Sequence, residues 1–453
     1  MDDIVVKTRG EWAVLREVKR RIIMLVFKDS IPETVTSTFG KGFCARALVE
    51  GSWGFASTTK REDLAQALAS AEELARRSQN LKKQSVTLAP VSPCRGNWHS
   101  PGVKGGFHES AIKELCESII SCQQEMQQVK NVVSSTVSFN IVTDTKTLCT
   151  SEGTHITQKE HRILGTISAV ARNSQIASFN KSFGGQYGSE FLSKNILEAE
   201  SQACAKIASR LTECSLPPSG VTDVVLDSNL VGFLVHEAVG HTAEADIGMG
   251  GSYLYGKEGH TVAAESVTIV DDPSYPAGPG SFGYDEEGVL ARGTILIKEG
   301  KFEKFLHNRE TAFQMQAEPR GNARAWNFSC EPLIRMSNTF LEPGDHEYEE
   351  LIEKVDDGYL VVAGYMGGQS DFNGEFMFGT GFCQKIEGGT LTDDLYRGPV
   401  ITGNAFEVLQ DIEAIGNSET FEFNIAICGK DQPAFVGVGG PPIKTKAVLR
   451  GMM

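Results

Sequence analysis

Apolar and polar positions in the first ninety residues alternate as in two strands followed by a helix. The runs RRIIMLVFKD (20–29) and GFCARALVEGSWGFAS (42–57) are typical of strands, and the second contains a Gly-Ser turn. In KREDLAQALASAEELARRS (60–78), apolar residues recur at helical spacing. These patterns predict an N-terminal α/β domain over residues 1–90, with a linker rich in Pro and Gly over residues 88–106.

A second unit places two helices around two strands. Residues 109–130 carry apolar side chains on one helical face, and residues 189–214 predict a further long helix. Between them, VVSSTVSFNIVTDT and HRILGTISAVAR are typical of strands. Pro and Gly in residues 215–220 end the pattern, so we expect a middle α+β domain over residues 107–215.

Beyond residue 220 the pattern is mainly that of strands. The exception is an apolar helix, for which Asp227 or Ser228 is the predicted N-cap. The sequence therefore predicts an α+β protein, with two mixed α/β N-terminal units followed by a β-rich C-terminal domain over residues 221–453. Strand-like runs separated by glycine-rich turns occupy residues 288–308, 357–382 and 424–440.

Composition narrows the class of protein. The chain has 453 residues, of which 40% are apolar and 22% charged, as in ordinary globular proteins. Its apolar runs are too short to span a bilayer, and the acidic start MDDIVVKTRGEW lacks the pattern of a secretory signal. Ten scattered cysteines without a C-x-x-C pair argue against a disulfide scaffold or a zinc ribbon. We therefore expect a cytoplasmic protein without membrane contact.

Charge is distributed unevenly along the chain. Residues 1–221 hold 27 Lys and Arg against 22 Asp and Glu, a balance of +5. The total is -15, so residues 222–453 carry -20. A surface this acidic would repel phosphate backbones, which argues against direct nucleic-acid binding and suits cationic peptides better.

The stretch VHEAVGHTAEAD (235–246) contains the strongest candidate chemistry of the chain. His236 and His241 stand five residues apart, whereas zinc peptidases usually place them four apart, in H-E-x-x-H. On a regular helix these two side chains would point about 140° apart. One inserted residue, a π-bulge, would bring both imidazoles to the same side, and Gly240 would tolerate that distortion.

A zinc peptidase needs three protein ligands, an open position for water and a general base. Glu237, directly after His236, is the candidate base. Two histidines at this spacing also occur by chance, and the spacing leaves the third ligand open. The candidates are Asp246, Glu244, His260, His307 and a distant cysteine.

Several segments, in this order, resemble the TldD/PmbA family on its TldD-type side: HEAVGHTAEAD, SYLYGKEGHTVAAESVTIVDDP, GSFGYDEEG, RMSNTFLEPGD and ICGKDQPAFVGVGGP. The segment GFCARALVEGSWGFAST is also similar to the family's first domain, so the resemblance covers nearly the whole chain. It implies a zinc-dependent peptidase, historically called a modulator of DNA gyrase, that cleaves unfolded peptides or small proteins. It also implies that Cys428, in ICGKD, is the third zinc ligand beside His236 and His241.

The resemblance further implies a dimer, either with a PmbA-type partner or with a second copy, that encloses the cleft. We expect the substrate to enter as an extended peptide and to pair with a sheet edge, because main-chain pairing allows loose sequence preference. Near the C-terminus, CGKDQPAFVGVGGPP departs from the family pattern. One residue is missing after the aspartate and a Gly replaces a Gln, which leaves the substrate contacts of this loop open.

Two other functions stay open at this point. One is a non-catalytic regulatory or binding subunit of the gyrase-modulator type, and the other is an amidase that uses the same zinc on a small molecule. The segment GPGSFGYDEEG is a candidate wall of the cleft. Arg309, Arg320 and Arg324 are candidates either for binding a substrate carboxylate or for structural ion pairs.

Overall fold

The chain folds into an α+β protein, as the sequence predicts. The structure is a computed structural model that describes residues 5–81, 84–191, 194–364, 368–371 and 373–451. Its strands form two large sheets in the C-terminal half and one in the N-terminal half. No helix in these described ranges combines the length and apolarity that crossing a lipid bilayer requires.

The N-terminal sheet has seven strands in the order β3-β2-β1-β5-β6-β4, with β7 also paired to β6. Because β1 pairs with β5 from Val14 to Lys28, both predicted N-terminal units contribute to one sheet. The strands are β1 (Trp12–Lys28), β2 (Ile31–Val49), β3 (Ser52–Thr58), β4 (Arg95–His99), β5 (Val132–Thr150), β6 (His155–Arg172) and β7 (Ile176–Gly185).

Strand β4 lies inside the segment predicted as a linker, where it pairs in parallel with β6. Its Trp98 packs against Gly283, where an added Cβ would lie 2.4 Å from the indole. The strand itself was not predicted, because it is held by partners distant in sequence and shows no periodic apolar pattern of its own.

Three long helices cover one face of this sheet. Helix α1 (Leu64–Ser78) packs on alternate residues of β1 and β2, while α2 (Glu109–Gln128) and α3 (Lys194–Leu211) pack on the far end of β1 and on β5, β6 and β7. The opposite face carries Trp12, Val14 and Ile22 and packs against the C-terminal domain. Short 3-10 turns occupy Arg61–Asp63, Gln79–Leu81 and Ser189–Phe191.

The C-terminal half is mainly β, as predicted, and its two large sheets pack around a common apolar core. In the nine-stranded sheet are β8 (Gly220–Leu226), β15 (Asp357–Val362), β16 (Gly368–Ser370), β17 (Glu375–Gly379), β18 (Phe382–Glu387), β19 (Thr390–Arg397), β20 (Pro399–Asn404), β21 (Ala414–Ile415) and β24 (Ile443–Gly451). In the six-stranded sheet are β9 (Ile269–Asp271), β10 (Thr294–Lys298), β11 (Lys301–Phe302), β14 (Asn338–Leu341), β22 (Glu422–Lys430) and β23 (Gln432–Gly440). A separate pair consists of β12 (Ala323–Arg324) and β13 (Leu333–Ile334).

Helix α4 (Ser228–Val235) lies between these two sheets and continues directly into a π-turn, His236–Gly240. The N-terminal sheet covers the β22–β23 hairpin through Ile425 and Phe435. The remaining helical segments are α5 (Ala245–Met249), α6 (Arg309–Gln314), α7 (Tyr348–Glu353), α8 (Ala405–Gln410) and a 3-10 turn at Ser418–Thr420. The histidine motif thus follows directly from a helix packed between two sheets.

Candidate metal centre

The helix that carries the histidines is fixed at its start by a side-chain cap. The Asp227 carboxylate accepts a hydrogen bond from the backbone N–H of Leu230 at 2.9 Å, which confirms one of the two predicted N-caps. The helix is apolar on all sides because sheets cover it. Gly232 permits this close packing, since a Cβ there would lie 2.7 Å from the backbone nitrogen of Gly439 on β23.

The extra residue between the histidines is accommodated by a π-turn. The N–H of His241 donates to the carbonyl of His236 at 3.1 Å, an i to i+5 bond, which confirms the predicted distortion. The two rings consequently lie with their centroids 5.2 Å apart. Gly240 is required for the tight packing of this turn, because a Cβ there would lie 2.0 Å from Met336 Sδ.

Strand β22 brings Cys428 to the same place. It pairs with β23, Cys428 opposite Ala434, and β23 in turn forms the sheet surface on which α4 packs. Cys428 Sγ lies 3.0 Å from His241 Nε2. One ligand atom each from His236, His241 and Cys428 lies within 4.8 Å of the other two, a separation that one metal ion spans.

The environment of His236 fits a metal ligand. The residue is 1% exposed, yet neither ring nitrogen has a hydrogen-bond partner among the described residues. A buried imidazole without a partner is costly, and a metal ion would satisfy one of its nitrogens. Two imidazoles and one thiolate form a donor set that would suit zinc.

Charges in the cluster favour the thiolate form of Cys428. Burial alone would raise the pKa of its thiol, but electrostatic and hydrogen-bonding interactions with the His236 and His241 side chains lower it to about 4. For His241, burial opposes the charged form, and the Glu244 and Cys428 side chains outweigh it and raise the pKa to about 10. The thiolate is the form that binds metals, and a metal ion would displace the proton that the imidazoles otherwise hold beside it.

Glu237 lies at the open side of the cluster. Its side chain is 22% exposed, and Oε2 lies 3.9 Å from His241 Nε2. The hydroxyl of Ser370 donates to the Glu237 carbonyl at 2.7 Å, which holds the backbone of the π-turn. The carboxylate is therefore beside the ligand atoms and accessible to water.

The other sequence candidates for the third ligand lie elsewhere. Asp246 forms an ion pair with Lys430 at 2.7 Å, and exposed His260 lies beside the carbonyl of Glu258. His307 is buried with Nδ1 3.1 Å from the Thr311 hydroxyl.

Glu244 contacts His241 from the side away from Cys428. Its Oε2 lies 3.1 Å from His241 Nδ1 and 3.1 Å from Lys430 Nζ. Burial would raise the pKa of its carboxyl, but the charges of His241, Lys430 and Arg335 lower it. Sequence reasoning missed Lys430 and Arg335, although Lys430 stands two residues after Cys428 and so shares its side of β22.

The segment GPGSFGYDEEG lines the contact with the N-terminal sheet, so its assignment as a cleft wall was wrong. Two of its three acidic residues, Glu286 and Glu287, form buried ion pairs with Arg16 at 2.9 Å and with Arg46 at 3.0 Å. Sequence reasoning missed these pairs because their partners lie more than 200 residues earlier.

The three arginines considered for substrate binding have structural partners. Arg309 binds Glu152 through both terminal nitrogens at 2.8 and 2.9 Å. Arg320 donates to the Gly293 carbonyl at 2.9 Å, and Arg324 to the carbonyls of Met336 and Phe435.

Comparison with known families identifies all three parts of the chain. Residues 219–449 match the model of the PmbA/TldA metallopeptidase C-terminal domain. Residues 13–75 match metallopeptidase domain 1, and residues 108–216 match the central domain of the same family. The chain belongs to the TldD/PmbA family.

Relatives in the TldD/PmbA family extend over the whole chain. A metalloprotease of Methanothermobacter thermautotrophicus is 34% identical over 450 residues, which cover 98% of this chain and 96% of that protein. A zinc metalloprotease TldD homolog of Saccharolobus solfataricus is 35% identical over 239 residues, 52% of this chain and 53% of that protein. The crystal structure of a proposed modulator of a DNA gyrase from Thermotoga maritima has the same fold, with a TM-score of 0.79, 20% identity and coverage of 97% and 96% of the two chains.

Proposed function

We propose that this protein is a zinc-dependent peptidase in which His236, His241 and Cys428 hold the metal and Glu237 is the general base. The observation that carries the proposal is the buried His236, whose two ring nitrogens lack partners among the described residues while a second imidazole and a thiolate converge on it. Relatives named metalloprotease and zinc metalloprotease support the same chemistry.

A bound zinc ion would supply a water of lowered pKa and polarise the scissile carbonyl. The Glu237 carboxylate, beside the ligands and partly exposed, would accept the proton of the attacking water and pass it to the leaving amine. The π-turn fixes the position of Glu237 relative to both imidazoles, since it follows His236 directly and its carbonyl is held by Ser370.

An extended peptide has a suitable path to this site along β22. This strand is the last of the six-stranded sheet, and no strand of the described residues pairs with its outer edge. A cavity of about 550 Å³ lies beside it, lined by Ala426 and Ile427 of β22, Asn229 and Phe233 of α4, and Ser182 of β7. A substrate pairing with this edge would bring its backbone to Cys428 without requiring a particular side-chain sequence.

We also propose that the protein acts as a dimer, with a PmbA-type chain or with a second copy. Residues 31–41 of β2 extend beyond β3, are largely exposed and have no paired strand on their outer side among the described residues. This edge displays Ile31, Val35 and Phe39. Such an apolar edge is usually covered. A stable, fully active monomer in size measurements would contradict the dimer.

Two alternatives make different predictions. A regulatory subunit, as the description of the Thermotoga maritima protein suggests, would bind a partner without hydrolysing peptides. A small-molecule amidase would cleave simple amides and leave unfolded protein intact. The test is elemental analysis of the purified chain together with degradation of unfolded casein and of small amides. We expect about one zinc per chain and cleavage of casein; no zinc, with none taken up on reconstitution, would overturn the peptidase proposal.

A further inference from the structure

Glu244 is a carboxylate enclosed in the protein at the back of the candidate metal centre. Its side chain is 0% exposed, and Oε2 lies 3.1 Å from His241 Nδ1. His241 Nε2 is the nitrogen that lies 3.0 Å from Cys428 Sγ. One nitrogen of this imidazole therefore faces the carboxylate and the other faces the ligand cluster.

Two cations hold Glu244 in this position. Lys430 Nζ lies 3.1 Å from Glu244 Oε2, and Arg335 Nε lies 3.9 Å from Oε1. A single buried carboxylate would be strongly disfavoured, and these cations offset its desolvation. Lys430 is also bound by Asp246 and donates to the carbonyl of Ile334 at 3.2 Å, so its own position is fixed.

The same cations tie the cysteine strand to the histidine turn. Lys430 follows Cys428 by two residues on β22. The Arg335 guanidinium, 1% exposed, donates to the Cys428 carbonyl at 2.9 Å and to the Gln432 carbonyl at 2.7 Å, on the two strands of the hairpin. Glu244 thus links, through buried Arg335 and partly exposed Lys430, the strand that carries the thiolate to the turn that carries His241.

An ionised carboxylate only accepts hydrogen bonds, so the imidazole nitrogen that faces Glu244 must carry a proton. For a neutral imidazole this fixes the tautomer and leaves the lone pair on Nε2, directed at the cluster. A carboxylate at this position also makes the imidazole a stronger ligand.

We propose that Glu244 is a positioning residue of the metal centre, which fixes His241 with Nε2 toward the metal and, through Lys430 and Arg335, holds Cys428 at the same point. This inference rests on the proposed function. It assigns to Glu244 a role separate from that of Glu237, although the two lie on the same motif: Glu244 determines metal affinity, whereas Glu237 determines turnover.

The test compares zinc dissociation constants, measured by competition with a chelator, for wild type, Glu244→Gln and the exposed surface control Glu265→Gln. Glutamine keeps the size of the side chain and removes its charge, so a role in filling space alone would survive the change. We expect zinc to bind roughly 10- to 100-fold more weakly in Glu244→Gln and unchanged in Glu265→Gln. Saturating zinc should restore much of the peptidase activity of Glu244→Gln.

Equal zinc affinity of folded Glu244→Gln and wild type would overturn the inference while leaving the proposed function intact. A wild type without zinc affinity would instead overturn the proposed function. If Glu244→Gln does not fold, Lys430→Met tests the positioning role instead, because it leaves the carboxylate but removes its nearest cation. Weaker zinc binding by that variant supports the positioning role, and wild-type affinity contradicts it.

Discussion

Two buried clusters of charged residues in this molecule differ in how their members are partnered. Where the N-terminal sheet meets the C-terminal domain, each carboxylate lies close to a cation: Glu286 is 2.9 Å from Arg16 and 3.1 Å from Lys146, and Glu160 is 3.0 Å from Lys146. We call this group, with Arg46, Glu287 and Arg162, the interdomain ionic cluster. At the metal centre, in contrast, buried His236 has no hydrogen-bond partner among the described residues.

This difference separates a structural role from a chemical one. Charges in the interdomain ionic cluster are neutralised by one another and join two parts of the chain, although Arg16 Nε and Arg46 Nε make no hydrogen bond within the described residues. The histidine cluster instead brings two imidazoles and one thiolate within 4.8 Å of one another, a donor set that suits zinc. The convergence of three ligand atoms, together with the His236 nitrogens that lack a partner in the described part of the chain, is therefore the sharper indication of function.

The largest effect is expected from Cys428→Ser. Serine is a poor zinc ligand, so the metal and the peptidase activity should be lost together. The loss of affinity should exceed the roughly 100-fold that removal of an outer partner costs. Zinc content after dialysis and the rate of casein cleavage, both measured on this variant, test the prediction. A variant that keeps both would show that the thiolate does not belong to the centre.

Glu237→Gln should separate metal binding from turnover. The amide cannot accept the proton of the attacking water, so kcat should fall roughly 100-fold or more, while zinc content stays at the wild-type value. Kinetics on an unfolded peptide together with elemental analysis measure the two quantities. Full activity with zinc bound would rule out Glu237 as the base.

Glu286→Gln tests the other side of the comparison. It leaves Arg16 and Lys146 with one buried carboxylate fewer, so the free energy of unfolding should fall by about 3 kcal/mol. Zinc per folded chain should not change. The matched control is Glu318→Gln, whose exposed ion pair with Arg292 should contribute less than about 1 kcal/mol. Denaturant unfolding of both variants measures the change. Loss of zinc from folded Glu286→Gln would show that the interdomain ionic cluster also supports metal binding and would contradict the comparison.

The last effect depends on pH and concerns the start of the metal-binding helix. Burial raises the pKa of Asp227 to about 7, although hydrogen bonds from Leu230 and Ala363 oppose the shift. The folded state thus binds more protons than the unfolded state between about pH 4 and pH 7, and stability falls as the pH rises through this range. Asparagine caps about as well and does not titrate. The stability of wild type relative to Asp227→Asn should therefore decline across this range and level off above pH 7; parallel curves would contradict the assignment.

The local features of the fold and site were predictable from the sequence. Apolar periodicity located the long helices and the strands next to them. The spacing of His236 and His241 required a helical distortion, and the π-turn provides it. These features depend on residues that are close in sequence, so their spacing can be read directly. The choice of Cys428 as the third member came from family resemblance, because no local rule connects residues 187 positions apart.

Features that depend on distant pairing were not predictable. Strand β4 is held by β6 and by the loop around Gly283, and the single N-terminal sheet follows from the pairing of β1 with β5. Glu244 was considered as a ligand, but its contact with the outer nitrogen of His241 depends on where the π-turn directs the ring. Long-range pairing of this kind leaves no periodic signal in a single sequence.

The central claim is that one metal ion is held by two imidazoles and one thiolate of this chain. X-ray absorption at the zinc edge of the purified protein tests it most directly. The account predicts one zinc per chain with a single sulfur at about 2.3 Å and two imidazole nitrogens at about 2.0–2.1 Å. A zinc site without sulfur, or with more than one sulfur, would contradict it.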